Sequence, residues 1–194
     1  MTLLELLIAS SLIAVVLLGA IAVDYAVRSS RKDIRRKTNV SSQIAIAMYH
    51  LTRDALETIG DVSDRGIVYD EFSDIINICL RTKYDIEQPS NNRWTCYSMD
   101  VNSVNADHIL YRCDDLTNFL LVGVGCNPDD PKTKALLTSS SDDFFDIIFD
   151  SEGQIDYIEF HLKTRDDPLS EAHVINNPET ALISRISPLG VSRR

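Results

Sequence analysis

The stretch that decides the fold is residues 1–23, which read MTLLELLIASSLIAVVLLGAIAV. Glu5 is the only formal charge in this stretch, which has no proline and consists mainly of Leu, Ile, Val and Ala. As a helix it would be roughly 35 Å long at ~1.5 Å per residue, which is enough to cross a bilayer core of about 30 Å. A secretory signal peptide would show a basic start and a small-residue cleavage site, and neither is evident here. The stretch therefore predicts a membrane-spanning helix.

The helical pattern continues well beyond the apolar run. Residues 1–59 contain no proline and a single glycine, Gly19. Apolar residues recur three or four positions apart, as on one face of an amphipathic helix; they are Ile44, Met48, Leu51, Ala55 and Ile59. Gly60 suits the position just past the end of a helix. We predict one helix of about 59 residues, roughly 88 Å long. Its first half is too long to be buried by its own domain, so lipid or other copies of the chain must cover it.

The rest of the chain has the pattern of a β-rich domain, because short apolar runs alternate there with turn residues. The predicted strands are residues 75–80, 94–101, 108–113, 119–124 and 181–186. The clearest element is a hairpin at residues 144–162, whose turn at residues 150–153 ends in glycine. Segments rich in Pro, Asn and Asp predict loops at residues 88–93, 127–134 and 166–178.

These patterns together predict an α+β fold. One long N-terminal α-helix packs its C-terminal half on an antiparallel β-sheet head. Residues 1–25 would be the hydrophobic anchor, residues 26–60 the amphipathic half of the helix, and residues 61–194 the globular head.

The net charge of −10 is unevenly divided. Residues 1–40 carry six basic against three acidic side chains, a net +3, which leaves −13 for the remainder. An acidic body of this kind repels nucleic acid, so we expect no nucleic-acid partner. The six basic residues suit either anionic lipid headgroups or acidic surfaces of neighbouring copies; they are Arg28, Arg31, Lys32, Arg35, Arg36 and Lys37.

All four cysteines lie in the acidic body, at Cys79, Cys96, Cys113 and Cys126. An even number beyond a membrane segment predicts an oxidising compartment and two disulfides. Four cysteines allow three pairings, and closure of local loops favours Cys79–Cys96 with Cys113–Cys126. The pairing Cys96–Cys113 with Cys79–Cys126 stays open, since adjacent strands could juxtapose those residues. The chain has no CxxC pair, so we expect neither zinc nor thioredoxin chemistry.

The sequence offers no convergent set of catalytic or metal-binding residues. The four histidines, His50, His108, His161 and His173, lack metal-ligand spacing. Acidic pairs such as Asp129-Asp130 do not follow a calcium-loop pattern. Gly-rich phosphate loops, serine elbows and HExxH are missing from the sequence. We therefore expect no cofactor, no metal and no enzymatic activity.

The first six residues carry a family resemblance. The series Met1-Thr2-Leu3-Leu4-Glu5-Leu6 resembles the mature start of type IV pilins and pseudopilins, with Met where many members have Phe. Residues 43–60 and 107–112 more weakly resemble W-type minor pilins and J-type pseudopilins. Many major pilins have a proline near position 22, which this chain lacks. Gly19 is therefore the expected point at which the helix loosens.

The resemblance implies a pilin fold and a defined life cycle. A prepilin peptidase would cut a short leader before Met1, whose new amine is usually N-methylated. The subunit would wait in the inner membrane with its head outside, until an assembly platform extracts it into an extracellular filament. Glu5 would then pair with the Met1 amine of an adjacent copy. The resemblance implies a structural subunit of a type IV pilus or related filament. The alternatives are a minor pilin or pseudopilin that primes the filament, and a membrane-anchored adhesin or binding protein that never polymerises.

The charge pattern and the cysteines disagree about which side of the membrane holds the body. Lys and Arg after the anchor would place it in the cytoplasm by the positive-inside rule, although a leader would supply competing charge. The cysteines favour an outside body. We expect the body outside the cytoplasm.

Overall fold

A computed structural model of the chain describes residues 2–60, 66–70, 75–85, 87–100, 108–116, 126–139, 144–167 and 177–187. Within these residues, one long N-terminal helix precedes eight strands, which form two antiparallel sheets. The predicted α+β class is confirmed, and the architecture is compatible with a pilin-like fold. The chain divides into two compact units, Met1–Asn39 and Val40–Arg194, and each is described by itself.

Helix α1 comprises Leu3–Leu56. In the first unit its side chains are exposed from Thr2 to Lys32. In the second unit one face is buried, with Val40, Ile44, Ala47, Leu51 and Ala55 in the core. The predicted apolar face is thus confirmed at Ile44, Leu51 and Ala55, and Met48 packs against the same core.

The helix ends at Leu56, three residues before the predicted end at Ile59. The backbone N–H of Ile59 donates to the carbonyl of Arg81 at 2.9 Å, and so joins strand β2 (Ile75–Lys83) rather than the helix. The hydroxyl of Thr58 donates to the carbonyl of Asp54 at 2.9 Å and satisfies one of the last helical acceptors. Gly60 therefore lies beyond the helix terminus, and Ile59 is 42% exposed.

The larger sheet has five strands in chain order, each antiparallel to the next. They are β1 (Ile67–Asp70), β2, β3 (Arg93–Asp100), β4 (His108–Leu116) and β5 (Thr133–Ser139). Strands β1 and β5 were not expected, and β5 begins inside the predicted loop at residues 127–134. The predicted loop at residues 88–93 contains a short 3-10 helix, Pro89–Asn91. The strand predicted at residues 119–124 lies outside the described residues.

The smaller sheet has the order β6 (Phe145–Phe149), β7 (Ile155–Arg165) and β8 (Glu179–Ile186). Strands β6 and β7 form the predicted hairpin, with Ile147 opposite Ile158. The carboxylate of Asp150 accepts hydrogen bonds from the backbone N–H groups of Glu152 and Gln154, both at 2.8 Å. Gly153 has φ +74°, a left-handed conformation that favours glycine. The glycine that ends the predicted turn therefore has the backbone conformation that this turn requires.

The core of the second unit is one apolar cluster that draws on the helix and on both sheets. Alternate residues of each strand face this cluster, as the two-residue period of a strand requires. From the larger sheet they include Ile76, Ile78, Leu80, Tyr97, Met99, Leu110 and Leu137; from the smaller sheet, Phe145, Ile158, Phe160, Leu162 and Ile186. The buried half of α1 is thereby fixed against the strands.

Gly66 lies where the chain crosses close to the end of the helix. Its carbonyl accepts a hydrogen bond from the N–H of Arg81 at 2.7 Å, and the Arg81 Nε donates to the carbonyl of Ile59 at 2.9 Å. A Cβ on Gly66 would overlap the carbonyl of Ile59. The backbone at this junction leaves no room for a side chain.

We predict that Gly66→Ala lowers the free energy of unfolding by about 1–3 kcal/mol, the usual cost of forcing extra atoms into a packed site. Chemical denaturation of the full chain in detergent micelles measures this change. Gly19→Ala is the matched control, because a Cβ there meets no atom within 4 Å. Equal stability of the Gly66→Ala variant and the unchanged chain would contradict the prediction.

Candidate functional site

The first unit presents an exposed apolar surface along α1. Helix α1 is long and apolar enough to cross a membrane, and no residue of its most apolar 18-residue window is buried. Leu3 is 84% exposed and Val16 is 70% exposed. Exposed apolar area on this scale marks a surface that another apolar phase covers. By length and composition, this segment could anchor the chain in a membrane.

Glu5 takes part in a capping box at the start of this helix. The backbone N–H of Thr2 donates to Oε2 of Glu5 at 2.9 Å, and the N–H of Glu5 donates to Oγ1 of Thr2 at 3.4 Å. Two of the otherwise unpaired N–H groups at the helix start are satisfied reciprocally. Glu5 was expected to pair between copies, and its role within the chain was not predicted, although Thr and Glu three residues apart are the signature of a capping box. Met1 lies outside the described residues, so its role in pairing and N-methylation stays a prediction.

The other polar side chains in the apolar segment also bond within it. The hydroxyl of Ser10 donates to the carbonyl of Leu7 at 3.0 Å, and that of Ser11 donates to the carbonyl of Ile8 at 2.8 Å. An unpaired hydroxyl in an apolar medium is costly, and these two bonds remove that cost. The segment is therefore suited to surroundings without water.

Gly19 lies inside α1, and a Cβ there would meet nothing within 4 Å. No close contact within the described part of this chain requires glycine at that position. Glycine lowers helix stability by about 1 kcal/mol relative to alanine. Loosening of the helix at Gly19 stays a prediction on that ground.

The second unit contains two disulfides, Cys79–Cys96 and Cys113–Cys126, which are the pairs that local loop closure favours. Cys79 and Cys96 are direct partners across β2 and β3, and Cys96 and Cys113 are direct partners across β3 and β4. Three cysteines therefore stand side by side on adjacent strands, on the face away from the main core. Trp94 is buried among them.

A buried carboxylate joins the helix to the larger sheet. Asp54, on the buried face of α1, is 1% exposed. Its Oδ2 accepts hydrogen bonds from the Tyr97 hydroxyl at 2.6 Å and from Nε and Nη2 of Arg112 at 2.9 and 2.8 Å. Its Oδ1 accepts from Nε and Nη2 of Arg53 at 2.9 and 2.7 Å. A second carboxylate, Asp114, pairs with Nη1 of Arg112. We refer to these five residues as the Asp54 network.

The surroundings shift the pKa values of Asp54 and Tyr97 within this network and of His50 beside it. Burial alone would raise the pKa of Asp54, but hydrogen bonds from Tyr97, Arg112 and Arg53 outweigh burial and hold that pKa below its ordinary value. Burial and the Asp54 carboxylate raise the pKa of Tyr97. Burial and the nearby Arg112 and Arg53 guanidinium groups lower the pKa of His50. At neutral pH the Asp54 carboxylate is therefore charged, and it lies between the charged guanidinium groups of Arg53 and Arg112 and the neutral phenol of Tyr97.

The Asp54 network was not among the sites predicted from the sequence. The available signal was Asp54 itself, which follows Leu51 by three positions and precedes Ala55, so that a carboxylate stands on the predicted apolar face. The partners could not be read from the sequence, because Tyr97 and Arg112 come from separate strands, 43 and 58 residues away.

The remaining candidate residues are scattered. His161 lies 3.0 Å from a carboxylate oxygen of Asp146, and the buried Nδ1 of His50 has no hydrogen-bond partner among the described residues. His173 lies outside the described residues. Across the described ranges, no group of three or more His, Cys, Asp or Glu side chains could hold a metal ion.

Comparisons with protein-family models, with curated proteins and with solved structures each gave no match. The resemblance to type IV pilins therefore depends on the N-terminal motif and on an architecture compatible with that fold.

We predict that Arg112→Leu lowers the free energy of unfolding by about 3–5 kcal/mol, because it removes a partner from a buried charge. The double variant Asp54→Leu/Arg112→Leu should lose less than the two single variants added together, with a coupling of about 1–3 kcal/mol. Urea denaturation of all four chains completes the cycle. Arg185→Leu is the control, since its ion pair with Glu159 is exposed and should have little effect. Additive single effects would contradict the coupling.

The lowered pKa of Asp54 predicts a loss of stability in acid. An unfolded Asp has a pKa of about 3.9, so the contribution of Asp54 is complete above that pH and disappears as the pH falls through the lower folded value. The free energy of unfolding should therefore fall more steeply below pH ~4 in the unchanged chain than in Asp54→Asn. Denaturation curves at a series of acidic pH values measure the two slopes, and parallel slopes would count against the prediction.

Proposed function

We propose that this chain is a structural subunit, a pilin, of a type IV pilus or related extracellular filament, and that it polymerises through its N-terminal helix. The observation that carries the proposal is Glu5, placed one turn into an exposed apolar helix within the series Met1-Thr2-Leu3-Leu4-Glu5. The capping box satisfies backbone N–H groups but supplies no opposite charge, and a charge in an apolar medium is costly unless it is paired.

The capping box leaves Glu5 able to accept more. One bond to the Thr2 N–H occupies Oε2, while an ionised carboxylate has two oxygens and about four acceptor positions. An α-amino group is cationic near neutral pH. The Met1 amine of an adjacent copy would neutralise Glu5 inside a bundle of apolar helices, and Glu5 would neutralise that amine.

The exposed helix supports the same proposal from its surface. Its apolar side chains need cover from lipid before assembly and from equivalent helices afterwards. In lipid the hydrophobic effect does not drive helices together, and they associate through close packing instead. Lipid and a helix bundle both suit an apolar segment whose hydroxyl groups already have hydrogen-bond partners. On this proposal the subunit waits in the inner membrane, and an assembly platform transfers it into the filament on the cell surface.

The disulfides support a head outside the cytoplasm. Disulfides persist in oxidising compartments such as the periplasm and the cell surface. A prepilin peptidase would process the chain before Met1, and N-methylation of the Met1 amine would accompany that cut.

We predict that Glu5→Gln reduces the filament fraction by more than about tenfold, because the amide cannot neutralise an ammonium buried between copies. The full chain is expressed with its assembly platform, and filaments are sheared, sedimented and counted by electron microscopy. Glu57→Gln is the matched control, since it makes the same change at an exposed residue just beyond α1 and should assemble normally. Membrane insertion and both disulfides should be unchanged in the two variants.

Normal filaments from Glu5→Gln would overturn the pairing of Glu5 with the Met1 amine of an adjacent copy. An unchanged chain that inserts in the membrane but forms no filaments would overturn the proposal and favour a membrane-anchored adhesin or binding protein that never polymerises.

A further inference from the structure

Four basic side chains form one stripe along α1 just beyond the apolar segment. Arg28, Arg31, Lys32 and Arg35 are spaced i, i+3, i+4 and i+7, which places them on one helix face, and all four are exposed. We define these four residues as the basic stripe. Lys37 is also exposed, but it lies roughly half a turn round the helix from Arg28 at ~100° per residue.

A membrane surface accounts for only the beginning of this stripe. The apolar run ends at Val23, so Arg35 lies roughly 18 Å farther along the helix axis. Electrostatic attraction to headgroups fades within a Debye length of about 8–10 Å. The headgroups themselves extend about 5–7 Å beyond the hydrocarbon core, so Arg28 lies close to them, whereas Arg35 lies roughly 11–13 Å outside them and beyond one Debye length. The far end of the stripe therefore needs a different anionic partner.

The second unit carries a matching acidic element. The β6–β7 hairpin, residues 144–162, contains five acidic side chains and no Lys or Arg. Two of them have partners on the sheet face: Glu159 pairs with Arg185, and Asp146 lies against His161. The other three stand at the turn end and are exposed: Asp150, Glu152 and Asp156.

Apolar contacts can accompany the charges. Phe149 and Ile148, beside the turn, are 41% and 38% exposed. Tyr25 is 75% exposed, and it precedes Arg28 and Lys32 by three and seven positions, so it flanks the basic stripe on the same helix face. Both surfaces thus combine charge with exposed apolar area, which is the usual composition of a protein–protein contact.

We propose that the basic stripe of one copy docks on the turn end of the β6–β7 hairpin of a second copy of this chain. The inference rests on the proposed function, because it names a contact between copies of a polymerising subunit. Each exposed ion pair changes an equilibrium by no more than about fivefold. The contact therefore sets the register and orientation of neighbouring copies, while the apolar helices supply most of the affinity.

Cross-linking tests the contact directly. A carbodiimide joins an amine to a touching carboxylate without a spacer, and Lys32 is the only amine in the stripe. Full chains labelled with ¹⁵N and unlabelled full chains are mixed in equal amounts and assembled together. We expect mass spectrometry to find Lys32 joined to Glu152 or Asp156 in heavy–light pairs, and Lys37 not joined to either. Absence of the Lys32 product, or its presence only in pairs of the same isotope, would overturn the inference.

Charge reversal provides the second test. Arg31→Glu/Lys32→Glu/Arg35→Glu should reduce assembly by about tenfold, and adding Glu152→Lys/Asp156→Lys should restore it. Asp150 is left unchanged because its carboxylate holds the turn. As single variants, Arg35→Glu should weaken assembly and Lys37→Glu should not.

The outcomes separate this inference from the proposed function. Suppose that the triple variant assembles normally while Glu5→Gln does not assemble. That result would overturn the contact between the basic stripe and the hairpin, and it would leave the filament proposal intact. A heavy–light product without filaments would keep the contact and remove the filament. If the triple variant assembles normally but loses binding to phosphatidylglycerol vesicles, the stripe meets lipid headgroups and the inference is wrong.

Discussion

The apolar side chains between Leu3 and Val23 must be covered by something other than water, and the segment that carries them is built around that constraint. The core of the second unit begins at Val40, so it does not depend on how the apolar segment is covered. The polar groups within the segment are satisfied locally, through the Thr2–Glu5 capping box and the Ser10 and Ser11 hydroxyl bonds. Such a segment can exchange lipid for protein neighbours without breaking any internal bond. That property, more than hydrophobicity alone, makes transfer from a membrane into a fibre chemically reasonable.

The buried half of the helix faces a different problem, which is register. Apolar side chains such as Ile44, Leu51 and Ala55 could pack on the sheets with the helix shifted by one turn, because hydrophobic contacts are not directional. Asp54 cannot shift, since its carboxylate accepts five hydrogen bonds from Arg53, Tyr97 and Arg112. A buried ion pair is weak support for stability, but it can specify one arrangement. We interpret the Asp54 network as the device that fixes how the helix lies on β3 and β4.

The sequence predicted elements whose cause is local. Helical periodicity located the buried face at Ile44, Leu51 and Ala55, and the glycine-ended turn located the β6–β7 hairpin. The sequence did not predict features that depend on residues far apart in the chain. Helix α1 stops at Leu56 because Ile59 bonds to Arg81, and strand β5 starts at Thr133 because β4 offers an edge to pair with. The Asp54 network has the same origin, since its partners are 43 and 58 residues from Asp54. For the cysteines, strand pairing places Cys96 beside both Cys79 and Cys113, so spacing alone could not choose between them.

The two disulfides also determine how the head would respond to tension. If the chain forms the proposed filament, load would pull on each subunit through its ends, and an unfolding domain lengthens by the amount of chain that it releases. The cross-links close segments with separations of 17 and 13 residues, which therefore stay folded back on themselves. At about 3.4 Å per extended residue, the two disulfides prevent roughly 100 Å of extension. The segment from Cys79 to Cys126 would therefore extend less under force than the same segment without disulfides. A filament of this chain would lengthen less when its heads unfold.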